Sequence, residues 1–216
     1  MAKVDTIFYP DGFLAEQREC DMSALYEKGI EPCLEDVVSR FVAASEYQKE
    51  FLKEFVKNEK NIYFVNSGRA EFGNTYFIDR IAAWSQNTDS ETKIAVYNIN
   101  GRYVRTNKTR IYEMMQVRYY FETLGSTAKE IKKINNVFRD RKKLIHFKSA
   151  NAIKINDLKD KIFGSGYDLV LLDDFAFYNK EKREAIITSM KENKHTKFII
   201  SSSLPDNDFT EHLSWQ

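Results

Sequence analysis

With 216 residues, 43% of them hydrophobic and 30% charged, the chain is sized for one domain plus a short arm and has enough apolar surface to bury a core. Its 33 Lys and Arg against 32 Asp and Glu leave a formal net charge of +1, which excludes a global attraction to nucleic acid or to an anionic membrane. Any DNA-binding surface has to be a local patch, and no stretch approaches the apolar length of a membrane span.

Residues 1–44 read as an irregular, partly helical arm punctuated by Pro10, Gly12, Gly29 and Pro32. The opening MAKVDTIFYPDG lacks the apolar region of a signal peptide, so a cytoplasmic, non-secreted protein is expected. Cys20 and Cys33, the two cysteines, then read as free intracellular thiols. His146, His195 and His212 are scattered without cysteine neighbours, and no zinc site is expected. From Glu35 to Val56 apolar residues recur at helical spacing, and Ser45 is placed to cap the second of two helices. A domain is expected over 45–216.

At residue 61 the period changes. Asn61–Val65 (NIYFV) reads as a strand, Tyr76–Trp84 as a helix and Lys93–Ile99 (KIAVYNI) as a second strand. A charged helical region follows from about Thr106 to Asp140, broken near Gly125 and Ser126, and Leu144–Ile155 has short strand-like pieces. Tyr167–Leu172 (YDLVLL) is the clearest strand, Lys180–Glu192 a helix, and Lys197–Ile200 (KFII) the last strand. Continuous apolar strands alternating with helices predict an α/β domain, a mostly parallel central sheet flanked by helices. In such sheets ligands bind beyond the carboxyl ends of the strands, and three candidate motifs lie there.

The first is Gly68 to Thr75 (GRAEFGNT), which has the phosphate-loop spacing G-x-x-x-x-G-K-[ST] with Asn74 in place of lysine. Gly68 and Gly73 allow the backbone to wrap phosphate, and Thr75 offers a hydroxyl to Mg²⁺. Asparagine carries no charge for the β- and γ-phosphates, and Arg69 is the candidate to compensate. The second motif is Asp173-Asp174 at the end of an apolar strand: Asp173 to hold Mg²⁺ and Asp174 to polarise the attacking water. The third is Ser201 to Ser203, hydroxyls placed to sense a γ-phosphate, with Ser202 at its centre. Each has a plain alternative, respectively a glycine-containing turn, a solvated strand end and a polar turn before Pro205. Their order and their positions at strand ends make the three together far more specific than any one, and predict a P-loop NTPase-like fold.

Four stretches resemble the ATPase domain of the large subunit of tailed-phage DNA-packaging terminases: SEYQKEFLKEF (45–55), VNSGRAEFGNTYF (65–77), LVLLDDFAFY (169–178) and KFIISSSLPDNDFTEHL (197–213). The resemblance spans about residues 45–213. It implies ATP and Mg²⁺ as cofactors, with Gln48 on the adenine, Arg69 and Asp174 as catalytic groups, and Gly68, Arg69, Gly73, Asn74, Thr75 and Ser202 around the phosphates. It implies Thr75 and Asp173 as metal ligands, and double-stranded DNA, a portal and other terminase subunits as partners in an infected host cell. The chain departs from the family at Asn74, at Asp174, where glutamate is usual, and in the position of Arg69 relative to Asn74, and the nuclease domain usual in the family is not expected. Two functions are therefore expected: a packaging ATPase with weakened nucleotide binding and doubtful hydrolysis, or a non-catalytic pseudo-ATPase that recognises DNA or a packaging partner.

Lys129, Lys132, Lys133, Arg139, Arg141, Lys142 and Lys143 cluster, with Arg102, Arg105, Lys108 and Arg110 upstream. Interleaved Glu130 and Asp140 favour a solvated helix face over a phosphate-contacting surface, and the aromatics of 111–121 favour core over a base-stacking platform.

Overall fold

The computed structural model describes Phe51, residues 54–55, 60–66, 73–89, 91–123, 125–162 and 165–202. The expected arm over 1–44, both cysteines, Gln48, Gly68, Arg69, Ser203 and the 203–213 stretch lie outside the described residues.

Five strands, β1 (Ile62–Asn66), β2 (Ile94–Asn98), β3 (Ile145–Ser149), β4 (Leu169–Leu172) and β5 (Lys197–Ser202), form one sheet in the order β1-β5-β4-β2-β3. Every pairing is parallel, as the near-continuous apolar runs predicted. Alternation along each strand divides the core in two. Val65, Ile94, Val96, Leu169, Leu171 and Ile199 face one side, where α1 (Asn74–Thr88) and α2 (Gly101–Thr123) pack through Phe77, Ile78, Ile81, Ile111 and Met115. Ala95, Tyr97, Val170, Leu172, Phe198 and Ile200 face the other, covered by α4 (Ile155–Ile162) and α5 (Lys180–Glu192) through Leu158, Ile162, Ile186 and Met190. Phe51 and Phe55 join the first side, where their rings meet Tyr63 edge-on at 5.9 and 5.1 Å.

From residue 61 onward the strand and helix expectations hold with shifted ends, whereas the two helices expected over 35–56, with Ser45 as a cap, lie mostly outside the described residues. The long charged region is two helices, α2 and α3 (Ala128–Lys143), separated around Gly125, whose φ is 73°. A capping box starts α3: the Thr127 hydroxyl accepts from the Glu130 N–H, and the Glu130 carboxylate accepts from the Thr127 N–H. Leu144–Ile155 contains one strand, β3, followed by a 3₁₀ turn at Ala150–Ala152. The sequence reading missed α4, because its eight residues are too few to display a helical period.

The topology places a switch point between β2 and β4. After β2 the chain crosses by α2 and α3 on one face, and after β4 it crosses by α5 on the other. The adjacent strands β2 and β4 therefore send their chains apart at their carboxyl ends, the kind of position where open α/β sheets bind ligands.

Candidate functional site

Gly73 opens the site. Its φ of 65° turns the chain into α1, and its carbonyl accepts the Phe77 N–H at 2.9 Å. A side chain in this left-handed conformation is strained, so glycine fits here. The next two residues diverge. Asn74 is buried, and its Nδ2 donates to the carbonyls of Ser202 at 3.1 Å and, more weakly, Val65 at 3.5 Å. The residue at the lysine position thus ties α1 to the ends of β1 and β5. Thr75 is half-buried and donates its hydroxyl to Asp173 Oδ1 at 3.1 Å.

Asp173 directly follows β4, with 0% exposure, and collects five donors. Its Oδ1 accepts from Thr75, from the Ser201 hydroxyl at 2.5 Å and from the Asp174 N–H at 3.1 Å. Its Oδ2 accepts from the amides of Asn98 at 2.8 Å and Asn107 at 3.1 Å. Burial raises its pKa, and the hydrogen bonds from Ser201, Asn107, Thr75 and Asp174 oppose that rise. Asp174 is half-buried and holds the left-handed backbone, φ 52°, which Asp tolerates better than most residues. That turn aims its N–H at both Asp173 Oδ1 and Ser201 Oγ. Beneath the pair, the Tyr178 hydroxyl is buried; its pKa is pushed well up, first by burial and then by the charges of Asp173 and Asp174.

A second buried carboxyl lies behind the first. Asp79 of α1 has 0% exposure; Asn107 Nδ2 donates to its Oδ1 at 2.9 Å, and its Oδ2 has no hydrogen-bond partner among the described residues. Burial first, and the charge of Asp173 second, hold the Asp79 carboxyl well above its ordinary 3.8, against the opposing pull of Asn107 and Arg110. As pH rises through the unfolded value, the unfolded chain gives up a proton that the folded chain keeps. Stability from this group is therefore full in acid and declines upward from about pH 4. Asp79→Asn, which keeps an acceptor for Asn107, is expected to flatten that decline. Thermal midpoints taken from about pH 4 to 7 test it; a variant whose midpoint falls as steeply as that of the parent chain contradicts it.

Comparison of the chain with protein-family models, with curated proteins and with solved structures finds no match.

Of the residues expected at the site, the fold brings Thr75, Asp173 and Asp174 together at one strand end. The Ser202 carbonyl is tied to them through Asn74, and Gly73 forms the adjoining turn. Thr75 and Asp173 bring two oxygens, of the kind a hard divalent cation takes, within 3.1 Å, while among the described residues no cluster of three or more His, Cys, Asp or Glu side chains is placed to hold a metal. Three members escaped sequence reasoning: Asp79, Asn98 and Asn107. A signal existed for Asn107, which interrupts the apolar stripe Val104, Ile111 and Met115 at helical spacing.

The basic cluster is mostly a solvated face. Lys129, Lys132, Lys133, Arg139 and Lys143 are exposed, no residue of α3 is buried, and Lys143 pairs with Asp140 at 2.7 Å. Lys108 and Lys142 instead lie over the Tyr112 ring at 5.6 and 4.7 Å. Burial, then Lys108, lowers the pKa of Lys142. Ile111 and Met115 are buried in the core; of the aromatics in that stretch Tyr112 is half-buried against it, and the side chains of Tyr119, Tyr120 and Phe121 lie outside the described residues. Among the described residues no helix is long and apolar enough to cross a membrane.

Proposed function

We propose that the chain is a P-loop NTPase-like domain of the terminase large-subunit kind, which binds Mg-ATP weakly and serves viral DNA packaging. The observation that carries this reading is the Thr75–Asp173 hydrogen bond. It joins the hydroxyl at the end of the phosphate-loop spacing to the carboxylate at the end of the acidic strand, from positions 98 residues apart. A bound Mg²⁺ would neutralise charge on the β- and γ-phosphates. Around it, Thr75 and Asp173 Oδ1 would hold the metal, the N-terminal N–H groups of α1 would meet phosphate oxygens, and Asp174 would orient water. Ser201, on the strand between β1 and β4, donates to Asp173, so it links the metal carboxylate to the strand expected to sense the γ-phosphate.

A second reading, a non-catalytic pseudo-ATPase that recognises DNA or a packaging partner, draws on one observation. Asn74 uses its amide on the carbonyls of β1 and β5, which is a structural use of the position that supplies charge in an active site. Phosphate release from ATP in the presence of double-stranded DNA separates the two. The ATPase reading expects slow, DNA-stimulated release that Asp173→Asn abolishes. Release that stays at background with DNA and partner subunits present favours the pseudo-ATPase.

A further inference from the structure

The two oxygens of Asp173 are held by different chemistry. Oδ1, on the Thr75 side, is held by two hydroxyls and one backbone N–H. Hydroxyls rotate, so Thr75 and Ser201 can turn their protons away when a cation arrives and present lone pairs instead. Oδ2 is held by two side-chain amides, from Asn98 on β2 and Asn107 on α2. An amide cannot exchange donor for acceptor without flipping, and these two are locked. Asn107 Oδ1 accepts from Asn98 Nδ2 at 2.9 Å, its Nδ2 donates to Asp79 Oδ1 as well as to Asp173 Oδ2, and Asn98 Oδ1 accepts the Ile99 N–H at 2.6 Å. A flip of Asn107 would aim its oxygen at two carboxylates and lose all three contacts. All four side chains, Asp79, Asn98, Asn107 and Asp173, are buried.

We propose that Asn107, braced by Asp79 and Asn98, is a positioning residue that clamps Asp173 Oδ2 and so presents Oδ1 to the metal of a bound Mg-nucleotide. This rests on the nucleotide-site reading above. The clamp draws on α1, α2 and β2, so Oδ2 of this carboxylate is held by residues outside the phosphate-loop spacing. Asn107 touches neither Thr75 nor the oxygen offered to the metal in the contacts that hold the clamp.

The test is titration of the full chain with a non-hydrolysable ATP analogue over a series of Mg²⁺ concentrations and in chelator. One hydrogen bond to a charged group sets the scale: Asn107→Ala is expected to raise the half-saturating Mg²⁺ concentration about tenfold and to leave metal-free affinity unchanged. Asn107→Ser, which keeps one donor, is expected to fall between. If Asn107→Ala does not fold, Asn98→Ala removes a donor from the same oxygen and is expected to show the same shift. An unchanged Mg²⁺ requirement in folded variants overturns the clamp while leaving the nucleotide site intact, as does an equal loss with and without metal. Absence of metal-dependent binding in the parent chain overturns the nucleotide reading and the clamp with it.

Discussion

Asn74→Lys is expected to raise nucleotide affinity and hydrolysis together, the latter by about 10²–10³, the usual scale for one positioned electrostatic contact. The position is set by spacing: Asn74 follows the αL glycine and precedes the hydroxyl that reaches Asp173. A lysine there would supply the charge that the asparagine lacks. The same substitution has a cost. Asn74 is buried, and its amide joins α1 to the carbonyls of Val65 and Ser202. An ammonium group in that place is desolvated until a phosphate meets it, so the variant is expected to melt below the parent chain without nucleotide. Nucleotide then stabilises it more than it stabilises the parent. Steady-state phosphate release and thermal melts with and without Mg-ATP read both effects. A variant with parental hydrolysis and no gain in nucleotide-induced stabilisation shows that position 74 does not face phosphate.

Asp173→Ala is expected to be the most damaging single change. It strips the acceptor from the hydroxyls of Thr75 and Ser201, the amides of Asn98 and Asn107 and the N–H of Asp174. Removing one charged member of a buried hydrogen-bonded set typically costs about 3–5 kcal/mol, because the partners stay buried without it. Urea unfolding measures the loss. Asp173→Asn preserves the shape but turns one acceptor oxygen into a donor, and is expected to lose less stability while abolishing metal-dependent nucleotide binding. The charge of Asp173 also helps hold the Asp79 carboxyl protonated, so both variants are expected to bring the Asp79 titration down toward its ordinary range. A folded Asp173→Ala chain with parental stability contradicts the network described above.

The architecture was legible because buried parallel strands announce themselves. Leu169–Leu172 and residues 198–200 are apolar and buried on both faces, as strands of a sheet covered on both sides are. Residues at a strand end were legible for the same reason, since a strand end is local information: Asp173, Asp174 and Ser201 were placed by the run that precedes them, and Thr75 by the phosphate-loop spacing. Asp79, Asn98 and Asn107 were not, because their partners lie far along the chain: 28 residues separate Asn107 from Asp79 and 75 separate Asn98 from Asp173. No local period records such contacts. The position of Asn74 was legible, but the use of its side chain was not. The pattern marks a residue facing phosphate, whereas the sheet order brings the Ser202 carbonyl of β5 next to β1 and gives the amide an acceptor from 128 residues away.

The central claim, that the Thr75–Asp173 strand end is still a Mg-nucleotide site, is tested most directly by calorimetric titration of the purified chain with a non-hydrolysable ATP analogue, with and without Mg²⁺. The account predicts binding that requires the metal, at weak, roughly micromolar or higher dissociation constants. Binding absent at millimolar analogue, or indifferent to Mg²⁺, contradicts it.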